Sequence, residues 1–362
     1  MKSIAISVSA LVCLVIAGIA GENRPARPAG NANNLPPLSV KDAVERGDQW
    51  LASVQGQDGG WGQDGGETSY VRTGEHLESN GNDVANTAVA VLALRREGNR
   101  YQANIRRGLE FILSNVEASQ VNGLEITNRN GTQIQRKLGP YIDTFLTSML
   151  LSEVDGTMDP QMNARVRKSL QKCVAKIQNS QQRDGSWNIS GGWAPVLGTS
   201  MASRSLYVAQ SKGVVVEDRV MARADSYTRG AMNAPASQAA AGVQLYQSAQ
   251  ALEQLSRTEK DRKDNAPQIN AIKKQLSDQR FVEGFGSVGG EEFFSYLNLS
   301  DGLRRAGGPE WTKWHADLTD KILKTQNEDG TWAGHHCITG RVAVTSAAIL
   351  NLMVDHETAH NN

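Results

Sequence analysis

One short pattern, Gln-x-x-Asp-Gly-x-Trp, occurs three times in this chain: Gln55 to Trp61, Gln181 to Trp187 and Gln326 to Trp332. A turn that recurs at intervals of tens of residues marks a repeat architecture, in which each unit buries its apolar face only by stacking on its neighbours. Two degenerate copies fit between these: Gln120 to Gly123, and Gln279 to Phe285, where Glu283-Gly284-Phe285 stands in for Asp-Gly-x-Trp. A sixth unit with no recognisable turn is required near Arg229, which gives about 50 to 65 residues per unit. The Asp-Gly pair suits a tight turn, because Gly tolerates positive φ and Asp hydrogen-bonds the local backbone.

Each turn separates two kinds of helical pattern. Before it, apolar residues share one face, as in Val40, Val44, Leu51 and Val54, in Ile105, Leu109, Ile112 and Val116, and in Val166, Leu170, Val174 and Ile177; such helices are wet on one side. After it, Thr87 to Leu94 and Ala343 to Leu350 are apolar nearly all round, which demands burial on every side. No stretch of useful length alternates with period two. The expected fold is all-α: about six outer and six inner helices alternating around a closed ring, an α/α toroid over residues 40–356 with a central cavity, followed by a tail at 357–362.

These turns and the apolar helix after each resemble the repeats of the squalene cyclase and protein prenyltransferase β-subunit superfamily. The resemblance implies that Gln55, Trp61, Gln181, Trp187, Gln326 and Trp332 brace neighbouring helix ends. The family's chemistries do not follow with the fold. Squalene and hopene cyclases use an Asp-x-Asp-Asp acid, and no such motif occurs in this sequence. Prenyltransferases hold zinc through an Asp, a Cys two positions later and a His; here Glu291 stands for the Asp, Phe293 takes the place of the Cys, and His336 falls where the His belongs. Two ligands are short of the three a catalytic zinc needs, so neither metal nor another cofactor is expected. The Cys-Gly-Glu-Gln of thioester domains is absent as well. Cys173 reads as a buried small hydrophobe, and Cys337 leaves room for at most one disulfide.

In a ring of this kind all inner helices run the same way, so their positive N-terminal ends surround one mouth. Candidate ligand contacts at or near those starts are Tyr141, Asp143, Arg204, Glu291, Glu292, His335, His336 and Arg341, with Glu291, Glu292, Asp143 and His336 as candidate catalytic groups. Asp83, Asp143 and Thr199 also suit capping. Asn130, Asn188 and Asn298 match the glycosylation sequon, Asn298 inside a predicted inner helix. Arg257 to Asp264 reads as a solvated stretch.

Lys2 followed by the apolar run Ile4 to Ala20 has the layout of a signal peptide over 1–20, with a flexible linker at 21–39, so an exported (periplasmic or secreted) chain with no membrane span in its mature part is expected. Lys and Arg together number 38 and so do Asp and Glu, which removes the electrostatic case for a nucleic-acid partner. The expected function is an exported toroid without the family's known catalysis, binding an apolar or extended small molecule or a protein partner. The alternative is an enzyme with a non-standard active site, either a terpenoid cyclase or prenyltransferase or a polysaccharide lyase or hydrolase. Oligomeric state stays open.

Overall fold

Helix boundaries follow the polar punctuation of the chain. Ser39 caps α1 (Val40–Ser53) by accepting from Asp42 N at 3.1 Å, and Asp83 caps α2 (Val84–Leu94) by accepting from Asn86 N at 2.8 Å. Then come α3 (Gln102–Ala118), α4 (Gln133–Leu138), α5 (Ile142–Val154), α6 (Pro160–Asn179) and α7 (Pro195–Ser211). The chain continues through α8 (Asp218–Met232), α9 (Val243–Leu255), α10 (Glu259–Asp264), α11 (Ala266–Gln275), α12 (Gly290–Ala306), α13 (Pro309–Lys324) and α14 (Arg341–Leu352). This computed structural model describes residues 38–64, 81–187, 195–232, 243–278, 282, 289–335 and 338–355. The expected signal segment, the expected linker up to residue 37, the Gln279 to Phe285 turn apart from Val282, Asn188, His336, Cys337 and the 357–362 tail lie outside the described residues.

Among the described residues the chain is helical, with a single isolated bridge between Trp61 and Asp83. The inner ring runs α2, α5, α7, α9, α12, α14, each packed on the next, and α14 returns to pack on α2. Outside it lie α1 against α14 and α2, α3 against α2, α6 against α5, α8 and α11 against α9, and α13 against α12. Outer helices bury one stripe, such as Ile105, Leu109, Ile112 and Val116 of α3. All eleven residues of α2 are buried, so its axial side is covered as fully as its outward side. The ring is an all-α toroid.

The three complete turns are built alike. Gln55 Nε2 donates to Gly59 O and to Asn104 O at the start of α3, Gln181 Nε2 to Gly185 O and Val220 O on α8, and Gln326 Nε2 to Gly330 O and Ala43 O on α1, at 2.8–3.0 Å. Each glutamine thus ties its own turn to an adjacent outer helix, and the last ties the end of the chain to its first helix. Trp61, Trp187 and Trp332 donate Nε1–H to the carbonyls of Leu51, Ile177 and Ile322 on the preceding outer helix. Their backbone N–H groups bond Thr87, Thr199 and Thr345 on the following inner helix. Gly59, Gly185 and Gly330 have φ of 89°, 94° and 86°, a region glycine enters without steric cost. In the degenerate copy Gly123 has the same hand, with φ 82°, but Gln120 is exposed. There Lys172 and Lys176 of α6 supply donors to Val116 O, Ser119 O, Gly123 O and Glu125 O instead.

Two local expectations are corrected. Thr199 does not open its helix, because α7 begins at Pro195; Thr199 bonds the Trp187 amide instead. Arg257 is not part of a solvated stretch: it is buried and paired bidentately with Glu253, while the stretch after it forms α10 behind a Thr258–Asp261 capping box.

Candidate site at the inner-helix starts

Two pairs of carboxyl groups lie buried where inner helices begin. Asp83 precedes α2 and Asp143 sits in the first turn of α5, and both are 2% exposed. Asp143 does not cap its own helix. Its Oδ1 accepts from Ala85 N on α2 at 3.1 Å and its Oδ2 from Gln135 Nε2 of α4 at 2.6 Å. Asp83 accepts from Asn86 through both oxygens at 2.8 Å. Burial raises Asp83 to about 6, against the pull of its Asn86 hydrogen bonds. Burial and the neighbouring Asp83 charge raise Asp143 to about 7. One member of such a pair keeps its proton near neutrality, because two close carboxylates cannot both ionise cheaply.

The second pair, Glu291 and Glu292, opens α12, and both are fully buried. Glu291 Oε2 accepts from Ile338 N at 3.4 Å. Burial, followed by the adjacent Glu291, raises Glu292 to about 8. The two pairs are linked through α4. Gln133 Nε2 donates to Thr339 Oγ1 at 3.0 Å, and its Oε1 accepts from Thr339 N and Gly340 N at 3.0 and 3.2 Å. Gln63 joins the same seam, its Oε1 accepting from Gln133 N and its carbonyl from Val342 N. The starts of α2, α5, α12 and α14 are therefore stitched together by amide and carboxyl side chains.

The other candidates distribute unevenly. Tyr141 is half-buried just before α5, and His335 is exposed. Arg341 turns outward: it bonds Asp64 and Asp329 and lies 5.1 Å over the Trp50 ring, where α14 meets α1. Arg204 is not at a helix start. It lies in the middle of α7 and reaches α12, which is not its ring neighbour, to pair with Asp301 and with Asn298 Oδ1 at 2.8 Å. Asn298 is thereby buried in this network and donates to Ser200 Oγ at 2.9 Å, so its sequon is inaccessible. Beside it Arg257 and Arg305 hold Glu253; burial opposes ionisation of Glu253, but the guanidinium charges outweigh it and keep its carboxyl below the usual range.

Among the described residues no three His, Cys, Asp or Glu side chains gather as metal ligands. Cys173 is a free, buried thiol whose ionisation burial disfavours. No described helix is long and apolar enough to cross a membrane. Sequence reasoning missed Gln63, Gln133 and Gln135, whose amides organise the mouth. It also missed Arg46, Arg107 and Arg223, whose guanidiniums hold the repeat glutamines. The arginines did leave a signal: each lies three residues after the carbonyl its glutamine binds.

Residues 33–132 match the family described as the squalene-hopene cyclase C-terminal domain. A squalene–hopene cyclase from Bradyrhizobium diazoefficiens is 34% identical over 71 residues, which cover 20% of this chain and 10% of the cyclase. The chain therefore matches only a small part of that relative. Within the matched family segment, Asp83-Val84-Ala85-Asn86 has one carboxylate, at the first position of an Asp-x-Asp-Asp spacing.

Proposed function

We propose that the chain, a helical toroid whose residues 33–132 match the squalene-hopene cyclase C-terminal domain, is a binding scaffold with the repeats of the squalene cyclase and protein prenyltransferase fold and not a working cyclase or prenyltransferase. It takes an extended ligand or a partner chain across the ring end where the inner helices start. The observation that supports this reading is the commitment of the carboxyl groups there. Asp143 accepts from a backbone N–H and an amide, and Asp83 from Asn86 twice. A cyclase acid must deliver its proton to an alkene; here the Asp143 oxygens tie α5 to α2 and α4, and the Asp83 oxygens cap α2. Ala85 and Asn86, which follow Asp83 at the spacing of the cyclase acid, carry no carboxyl.

The test is incubation of the purified protein with squalene and, separately, with farnesyl diphosphate, followed by mass spectrometry of the extract. No cyclised or ionised product is expected, while native mass spectrometry of protein from its own host finds a bound mass that the double variant Glu291→Gln, Glu292→Gln lacks. Turnover of either isoprenoid refutes the reading. The apolar run after Lys2 supports export, and N-terminal sequencing of the protein from its host is expected to begin just after Ala20.

A second reading, an enzyme with a non-standard site, draws on the Asp83–Asp143 pair, since one carboxyl that stays protonated near neutral pH is a usable general acid. Polysaccharide cleavage suits it better than isoprenoid chemistry, because the network of Arg204, Asn298 and Asp301 makes the ring interior polar. Turnover of a polysaccharide that falls as pH rises through about 6 to 7 and disappears in Asp143→Asn is the result that favours it.

A further inference from the structure

Trp61, Trp187 and Trp332 each come eight residues after the last residue of the preceding outer helix, Ser53, Asn179 and Lys324. Counted from Ala118, the end of α3, that position holds Ile126, which is buried. The carbonyl that an indole N–H would take there is Val116 O, and Lys172 Nζ of α6 takes it instead at 2.7 Å. An isoleucine fills less space than a tryptophan, and Ile126 lines a groove of about 580 Å³ between α3 and the segment 119–128, within the roughly 300–1,000 Å³ typical of small-molecule sites. Lys176 Nζ secures the same segment through Gly123 O and Glu125 O, both at 3.0 Å. The wall of the groove is thus pinned to α6 by ammonium groups that are not part of its lining.

The lining is built of amides and hydroxyls. Asn115, Gln120, Asn122 and Asn128 contribute carboxamides, and Ser114, Ser119 and Thr127 hydroxyls. Two of these are spent on the backbone: Ser119 Oγ donates to Val116 O at 2.8 Å, and Thr127 Oγ1 accepts from Arg129 N at 3.1 Å. Asn115 uses its Nδ2 alone, on Phe111 O at 2.9 Å. Among the described residues the side chains of Ser114, Gln120, Asn122 and Asn128 have no protein partner. A carboxamide and a hydroxyl each offer both donors and acceptors, which is what a sugar hydroxyl requires of its surroundings. No described lining residue is cationic, so an anionic ligand finds nothing to pair with. The charged residue of the lining, Glu125, already has the Lys176 charge acting on it. Ala118 and Ile126 add apolar surface, which rewards burial of the C–H face of a ring.

We propose that this groove binds a short neutral oligosaccharide, with its hydroxyls on Ser114, Asn115, Gln120 and Asn122 and a ring face on Ala118. The site is built from α3 and the segment after it, not from the inner-helix starts, and it does not rest on the function proposed for them.

Maltotriose, cellotriose and triacetylchitotriose, each titrated into the full chain and followed by calorimetry and by saturation-transfer NMR on the sugar, test this. At least one is expected to bind saturably, one per chain. Trigalacturonate and the unacetylated glucosamine trimer, which carry opposite charges, bind at least tenfold more weakly than that sugar. Ala118→Trp, which fills the groove, abolishes binding. The double variant Gln120→Leu, Asn122→Leu, at two exposed positions that hold no other element in place, weakens it at least tenfold. Gln161→Leu, exposed at the start of α6, leaves affinity within twofold. The proposal is overturned by absence of saturable binding of all three sugars, or by full affinity in Ala118→Trp or in the double variant. Equal affinity for a charged trimer overturns it as well, and equal affinity for acetyl-tetraglycine amide does so in favour of a peptide site.

Discussion

Asp48 lies on the buried face of α1 beside Ala43, Val44 and Leu51, fully buried, and neither carboxyl oxygen has a hydrogen-bond partner. Tyr101 Oη close by is buried without a partner too. Burial, with a further push from Glu97, raises Asp48 from 3.8 to about 8, and Arg100 pulls only weakly the other way. A carboxyl that holds its proton more tightly when folded contributes fully below its unfolded pKa and loses that contribution as pH rises through the folded value. The loss therefore accumulates from about pH 4 to pH 8 and levels off above it, reaching on the order of 5 kcal/mol for a shift of this size. Asp48→Asn removes the titration while keeping the shape. Urea melts of both proteins at pH 4.5, 6.5 and 8.5, followed by circular dichroism, should give midpoints that nearly coincide at the lowest pH and separate in favour of the variant as pH rises. Asp83, Asp143 and Glu292 titrate over the same range in both proteins and cancel in the difference. A gap that does not change with pH refutes the argument and requires an ionised, satisfied Asp48.

Trp187→Ala deletes a buried ring and its Nε1–H bond to Ile177 O; calorimetry should show a loss of about 3–5 kcal/mol. Gly185→Ala and Gly213→Ala share a left-handed backbone, with φ 94° and 75°. A Cβ at Gly185 meets Arg223 O at 2.3 Å, whereas nothing lies within 4 Å of one at Gly213. Gly213→Ala should therefore cost only the left-handed penalty of about 1–2 kcal/mol, and Gly185→Ala clearly more; equal thermal shifts would contradict the close approach. Arg204→Met strands Asp301 in the interior and should cost about 3–5 kcal/mol, and the double variant Arg204→Met, Asp301→Leu should recover part of that. Chemical denaturation of the parent, the two single variants and the double variant tests the coupling, which fails if the two single losses simply add.

Much of the toroid was legible because its repeat is written in residues that few others can replace. Gly59, Gly185 and Gly330 are required where φ is positive, and a tryptophan is the side chain that both fills the gap and donates an N–H to a carbonyl ten residues back. The inner helices showed as well, since Thr87 to Leu94 has no polar face to offer water. Buried polar residues defeated the same reasoning. Asp48 falls on the apolar stripe of its helix, four residues after Val44 and three before Leu51, but periodicity alone does not tell a carboxyl enclosed there from one that reaches the edge of the stripe. Arg204 and Asp301 are 97 residues apart in the chain, and no periodicity within one helix announces a partner on another. At the mouth Asp143 was found by its place near a helix start, but its partners Ala85 and Gln135 belong to other elements and could not be read from its own neighbourhood. His336 lies outside the described residues.

Beneath these details the charges obey one physical rule. The buried acids Asp83, Asp143, Glu291 and Glu292 stand at helix starts, where unpaired N–H groups and the positive end of the dipole favour negative charge. The buried or half-buried arginines Arg257 and Arg305 stand at or just beyond the C-terminal ends of α9 and α12, where the opposite holds. Three of the six inner-helix starts, those of α2, α5 and α12, carry the buried acids, and two ends, those of α9 and α12, carry the arginines, so this part of the ring has an acidic end and a basic end. Burial still dominates at the acidic end: Asp83, Asp143 and Glu292 remain raised in spite of the dipole, so protons, not counter-charges, neutralise much of it. At the basic end Glu253 is held below its ordinary range by Arg257 and Arg305, so fixed ion pairs do the neutralising. A ligand reaching the first end meets groups that exchange protons near neutral pH. One reaching the second meets charges already paired, which makes the acidic end the place where binding can be coupled to pH.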